Sequence, residues 1–284
     1  SPKPVEPWES LNETSSYGSL CAQTAFLALV QLGHEDCLFL NVHVPKLDET
    51  SKPLPVMIYI HGGAFTGGGS QDFRPDYFMD HDVILVTINY RLGALGFLST
   101  GDDSIRGNMG LKDQALAIKW VHKNIQAFGG DQDRITLFGE SAGGVSTHYQ
   151  MLSSQTKGLI KKAIALSGSA GGSWRFTPLD VAVSKSKQIA EYFHCPTDSS
   201  ALLAKCLREV STSELLSSLK DDVKLLHLFF PHGKGHLFAP TLETEHPEAF
   251  LTEHPLQVLE QGRAQKIPFL TGVNADEGLL SAFS

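Results

Sequence analysis

The 284-residue chain is 42% hydrophobic and 19% charged, the make-up of a globular protein with one large core rather than of a disordered or fibrous chain. Its 31 acidic and 23 basic residues leave a formal net charge of −8, which disfavours nucleic acid and anionic membrane as partners. No apolar run reaches the roughly 18 residues that a transmembrane helix needs, and no signal-peptide pattern opens the sequence.

Pro2, Pro4 and Pro7 keep the first residues extended, and the stretch to Gln31 has no clear period, so it is expected to wrap the surface. Cys37 to Val44 is a predicted strand closed by Pro45, and Leu54 to Ile60 is a second. His61 to Gly69 follows, too rich in glycine for helix or sheet, hence a loop whose backbone comes close to something. Val83 to Asn89 is a third strand. Apolar residues at Leu111, Ala115, Ile118, Val121, Ile125 and Phe128 predict a helix over 111–128. Ile135 to Phe138, Ile160 to Leu166 and Ile267 to Val273 read as buried strands. Helices are predicted over Val145 to Leu152, Pro178 to Phe193 and Ser199 to Leu219. Strands alternating with helices imply one α/β domain over residues 1–284, with a mostly parallel sheet and helices on both faces.

The four cysteines fall into two local couples, Cys21 with Cys37 and Cys195 with Cys206. Two short disulfides are expected, each worth about 3 kcal/mol on the loop-entropy model. With the acceptor triplet at Asn12 they suggest a secreted or lumenal glycoprotein.

Phe128 to Gly144 carries the chemistry. A serine framed as Gly139-Glu140-Ser141-Ala142-Gly143, after a strand and before a helix, has the pattern of a nucleophile elbow. Small residues let strand and helix approach, the turn presents the Ser141 hydroxyl outward, and the helix aims its positive end at the site, so that the Ala142 N–H can donate to an oxyanion. Gly62-Gly63-Ala64 supplies further N–H groups. A phosphate cradle is the competing reading of that loop, but no Gly-Lys-Ser/Thr follows it. A serine needs a base and a group to orient the base. Glu277 and Asp276, in the loop after the last strand, are equally good acids on chemistry alone. All 12 histidines precede them. His61 is nearest the site in sequence; His148, one to two turns into the elbow helix, is expected to pack. No metal site and no cofactor are expected.

Together these residues resemble the type-B carboxylesterase family, which includes cholinesterases, juvenile hormone esterases and bile-salt lipases. The resemblance runs along the whole chain and rests on Glu35 to Val42, His61 to Phe65, Asn89 to Gly93, Phe128 to Gly144 and Gly272-Val273-Asn274. It implies an α/β-hydrolase fold and a serine esterase, insect-type, acting on a small apolar carboxylic ester. Ser141 would be the nucleophile, Glu277 rather than Asp276 the acid, and Gly63, Ala64 and Ala142 the oxyanion donors. The cysteine couples match the family's disulfides. An acyl pocket would draw on Phe65, Trp174, Phe229 and Phe230, although core packing accounts for each equally well.

The family's catalytic histidine lies beyond the position of Glu277, and its first strands precede a segment like Pro4 to Trp8. The resemblance therefore implies a middle portion of a longer enzyme, inactive by itself, with Glu35 robbed of a buried arginine partner and Arg91 paired with Asp113. The loop between Cys21 and Cys37 lacks the tryptophan that binds choline, which argues against acetylcholine. A non-catalytic adhesion module of the same family and an inert truncated product are the alternatives to the enzyme. Oligomeric state is left open.

Overall fold

The computed structural model describes residues 1–6, 9, 14–25, 30–46, 52–171, 176–219 and 238–279. Asn12, Trp174, Phe229 and Phe230 lie outside the described residues.

A six-stranded sheet positions everything else. In chain order its strands are β3 (Leu40–His43), β4 (Leu54–Ile60), β5 (Ile84–Ile88), β6 (Gly130–Glu140), β7 (Lys162–Leu166) and β8 (Phe269–Gly272). Spatially they run β3-β5-β4-β6-β7-β8, with β3 antiparallel to β5 and every other neighbour parallel. A two-stranded antiparallel ribbon, β1 (Gln23–Thr24) with β2 (Gln31–Leu32), stands apart from it in the N-terminal region.

The central stretches 56–60 of β4, 84–88 of β5 and 135–138 of β6 are almost wholly apolar because both faces are covered, as parallel sheets require. On β4, Val56, Ile58 and Ile60 enter the main core, and Tyr59 points the other way. The helices α2 (Met109–Asn124) and α3 (Ala142–Leu152) pack on the main-core face. Leu111, Ala115, Ile118 and Val121, the predicted stripe of α2, are fully buried there. On the opposite face Phe73 and Phe78, beside two single helical turns at Ser70–Asp72 and Phe78–Asp80, stack with Tyr59 and Phe138. The remaining helices are α1 (Gly93–Phe97), α4 (Leu179–Tyr192), α5 (Ser200–Leu207), α6 (Thr212–Ser218) and α7 (Pro255–Glu260).

Three departures from the sequence expectation have local causes. The region 199–219 is two helices, because Ser211 accepts from the Glu214 N–H while the Glu214 carboxylate reaches back to the Ser211 N–H, a capping box that starts α6 afresh. Phe128 leaves the stripe: α2 tightens after Asn124, Gly129 turns with φ 78°, and the ring is exposed against Trp120. Glu35 carries no stranded buried charge; it is exposed and accepts a hydrogen bond from the Thr212 hydroxyl.

Arg91 and Asp113 pair as expected. Both guanidinium donors Nε and Nη2 reach the carboxylate, at 2.8 and 2.7 Å, and the Arg91 N–H donates to it as well. A second buried pair, Lys112 with Glu243, has no counterpart in the sequence reading. Glu243 also accepts from Asn108 Nδ2 at 2.8 Å and the Phe250 N–H at 3.0 Å, so one carboxylate ties the 238–251 segment to the start of α2. Cys21–Cys37 and Cys195–Cys206 are bonded, with Cα atoms 4.8 and 5.7 Å apart. Among the described residues no helix is long and apolar enough to cross a membrane.

Candidate active site

β6 ends at Glu140 and α3 begins at Ala142, leaving Ser141 alone on the turn at φ 56°, ψ −120°. That backbone conformation costs a non-glycine residue about 1–3 kcal/mol and persists only when its surroundings enforce it. They do so from both sides. The Ser141 N–H donates to the Leu166 carbonyl of β7 at 2.9 Å, and its carbonyl accepts from the Val145 N–H at 2.9 Å, closing the first turn of α3. Gly143 lets α3 press onto β4: a Cβ there would stand 2.0 Å from the Ile60 carbonyl oxygen. α3 therefore points its positive end at the Ser141 turn.

The glycine loop lies directly over this turn. A Cβ on Gly62 would come within 3.3 Å of the Ser141 Cβ and 2.8 Å of the Glu140 carbonyl oxygen, so only a glycine leaves the loop this close to the nucleophile candidate. Gly63, Ala64 and Phe65 all hold positive φ, at 99°, 52° and 63°. The Gly63 carbonyl accepts from the N–H groups of Thr66 and Gly67, at 2.9 and 3.0 Å, which folds the loop back on itself. Phe65 is fully buried and packs edge-on against Phe97 in the main core.

The structure separates the two candidate acids. Glu277 is half-buried, and its Oε2 accepts from the Ser167 hydroxyl at 2.9 Å and from the Asn274 N–H at 3.0 Å. Asp276 is exposed. Ser167 directly follows Leu166, the residue that receives the Ser141 N–H, and stands at φ 52° with its own N–H donating to Gly272. Ser141 and Glu277 are thus tied to neighbouring residues at the carboxyl ends of β6, β7 and β8, where open α/β sheets build their sites. Glu140 adds a second carboxylate: burial pushes its pKa up, and the charge of Glu277 pushes it further.

The two histidines singled out in the sequence, His61 and His148, are otherwise engaged. His61 is 3% exposed, stacks on Tyr90 at 4.3 Å, and donates from Nδ1 to the Gly62 carbonyl at 2.8 Å. Burial pushes its pKa down to about 4, with the Gly62 hydrogen bond opposing, so it is neutral near pH 7. His148 Nδ1 accepts from the Ala170 N–H at 3.1 Å and its ring meets Phe269 at 4.8 Å, the packing role expected of it. Among the described residues no histidine hydrogen-bonds the Ser141 hydroxyl.

The family model for carboxylesterases matches residues 1–284. The chain belongs to the carboxylesterase family. Juvenile hormone esterase of Tribolium castaneum is 41% identical over 287 residues, covering 99% of this chain and 48% of the relative. A carboxylic ester hydrolase of Bombus ignitus is 38% identical over 283 residues, covering 98% and 49%. The crystal structure of juvenile hormone esterase from Manduca sexta with OTFP covalently attached superposes with a TM-score of 0.84 at 31% identity, covering 94% of this chain and 50% of that one. This α/β-hydrolase therefore spans about half the length of the relatives it matches.

Two positions of this carboxylesterase fold at the site escaped the sequence reading. Ser167 stands in Leu166-Ser167-Gly168, at the end of a predicted strand, which is the only signal it gave. Glu140 was visible only as the residue before the serine in the elbow motif; its proximity to Glu277 depends on β6, β7 and β8 lying side by side.

Proposed function

We propose that this protein hydrolyses carboxylic esters through an acyl-enzyme on Ser141. The observation that carries the reading is Ser141 itself, at φ 56° between β6 and α3 with the Gly62 backbone against it. The Ser141 oxygen attacks the ester carbonyl and passes its proton to a base. The carbonyl oxygen becomes an anion that accepts from the N–H groups of Gly63, Ala64 and Ala142. Collapse expels the alcohol, which takes up the proton, and water then releases the acid by the same steps. Each oxyanion donor of this kind contributes on the order of 3 kcal/mol to the transition state.

The base is an imidazole oriented by the Glu277 carboxylate, which Ser167 and Asn274 hold in turn. It lies outside the nine described histidines, of which His61, next to the glycine loop, is bound to the Gly62 carbonyl and His148 to the Ala170 N–H. Two carboxylates at the site, Glu277 and Glu140, favour the imidazolium that forms when the base takes the proton. The substrate class is a small apolar carboxylic ester, in keeping with relatives named juvenile hormone esterase and carboxylic ester hydrolase. Secretion or a lumenal location fits the two disulfides.

The test is to mix the intact protein from its source with p-nitrophenyl butyrate, quench in acid within a turnover, and map the peptides. A butyryl group on the Ser141 peptide is expected. Hydrolysis with no adduct on that peptide, in a protein that shows a burst of nitrophenol, would rule the reading out.

A further inference from the structure

One side chain holds the glycine loop from outside both the loop and the sheet. Gln23, in β1 and only 5% exposed, meets Gly68 through both ends of its amide. The Gly68 N–H donates to Gln23 Oε1 at 2.8 Å, and Gln23 Nε2 donates to the Gly68 carbonyl at 2.9 Å and to the Cys21 carbonyl at 3.0 Å. Both amide N–H groups and the amide oxygen therefore have partners. Gln23 is two residues from Cys21, inside the ring closed by the Cys21–Cys37 disulfide, so its backbone is anchored independently of the loop it grips.

Gly68 transmits that grip inward. It stands at φ 105°, and a Cβ there would come within 2.9 Å of the Gly62 carbonyl oxygen and 2.6 Å of His61 Nδ1. The Gly62 carbonyl is itself held by that Nδ1. The neighbouring Gly67 donates its N–H to Gly63. Residues 61–63 and 66–68 are thus two touching layers of backbone. Gln23 closes the outer layer, and Ser141 lies against the inner one.

We propose that Gln23 is a positioning residue for the oxyanion hole: by fixing both backbone groups of Gly68 it sets the inner layer of the loop, Gly62 and Gly63, against Ser141, so that the N–H groups of Gly63 and Ala64 meet the developing charge. The proposal rests on the reading of Gly63 and Ala64 as oxyanion donors. A preorganised hole acts on the transition state and not on the bound ester, so loss of Gln23 lowers kcat and leaves KM in place. A glutamine that merely supported the fold would lower the number of working sites and leave each survivor unchanged.

The experiment compares the intact protein with Gln23→Met, which keeps the shape without the hydrogen bonds, and Gln23→Glu. Working sites are first counted with a fluorophosphonate. Per counted site, kcat in Gln23→Met is expected to fall about tenfold to hundredfold, part of the 10²–10³ that a lost donor costs, with KM moving less than about twofold. Affinity for a trifluoromethyl ketone, whose adduct with the serine is an oxyanion, falls by the same factor. In Gln23→Glu the ratio of kcat to wild type rises as pH is lowered, because the protonated carboxyl again offers a donor and an acceptor to Gly68. Unchanged kcat per counted site, or variants that lose the fold altogether, would mark Gln23 as a structural residue and overturn the proposal. A wild-type protein that takes no fluorophosphonate would instead overturn the esterase reading beneath it.

Discussion

Ser141 is held in a costly conformation by hydrogen bonds and close packing from three strands, and the neighbouring groups divide by what they hold. Ser167 holds Glu277. Its hydroxyl is one of two hydrogen bonds to a carboxylate that, on the proposed mechanism, stays fixed while the charge beside it changes, and such bonds to charged groups contribute about 1.5–3 kcal/mol. Ser167→Ala is therefore expected to lower kcat/KM about tenfold to hundredfold, with no change in the yield of folded protein; steady-state kinetics on intact protein checks it. His61 has a different consequence. Its pKa, about 4 when buried against about 6.5 unfolded, means that the unfolded chain takes up the proton first as pH falls. The stability of the folded state is full above pH 6.5 and declines between about 6.5 and 4; His43 and His148, also lowered by burial, add in the same direction. Urea midpoints measured across that window should drop in wild type and drop less steeply in His61→Gln. Equal slopes would mean that His61 is not the buried neutral group described here.

At the scale of elements, the buried pair Lys112–Glu243 decides where the 238–251 segment sits relative to α2. Removing Lys112 leaves the buried Glu243 carboxylate with its bonds from Asn108, the Phe250 N–H and His246 but without its cation, so Lys112→Met should destabilise by about 3 kcal/mol, the low end for a broken buried pair, read as a shift in the denaturant midpoint. Neither residue was legible in the sequence, because the partners are 131 residues apart and nothing local marks a lysine on α2 as buried. What was legible was local. Leu54 to Ile60 is a strand at the predicted bounds, since seven apolar or β-branched residues between proline and glycine punctuation leave little choice. The elbow was readable because strand, turn and helix follow one another directly along the chain and the glycine spacing marks the turn, although the contact that requires Gly143 is with Ile60 on β4, far away in sequence. The sequence treated 199–219 as one helix, although Ser211 and Glu214 carried the capping signal in plain view. The different surroundings of Glu277 and Asp276 were not legible in the sequence, because the bond that holds Glu277 comes from Ser167, a residue 110 positions away.

For the molecule as a whole, β8 is an edge of the sheet among the described residues and all four of its residues are exposed, with Leu270 62% open to solvent and Val273, just after the strand, 77%. An open apolar edge strand invites association with other chains. Residues 1–284 expressed by themselves are accordingly expected to give no measurable turnover of p-nitrophenyl butyrate and to self-associate. On the proposed mechanism none of the nine described histidines is the base, and a serine without one retains only the smaller acceleration, about 10³–10⁴ over water, that oxyanion stabilisation and binding give. Esterase turnover from that polypeptide, lost in Ser141→Ala, would place the base on a histidine within it. The central claim is that Ser141 is an activated nucleophile, and covalent labelling tests it most directly. The intact protein is treated with a fluorophosphonate and the modified peptide is sequenced by mass spectrometry, beside the Ser141→Ala variant. The expected result is one adduct, on Ser141, absent from the variant. An active protein that carries the adduct on another residue, or that still labels after Ser141→Ala, would contradict it.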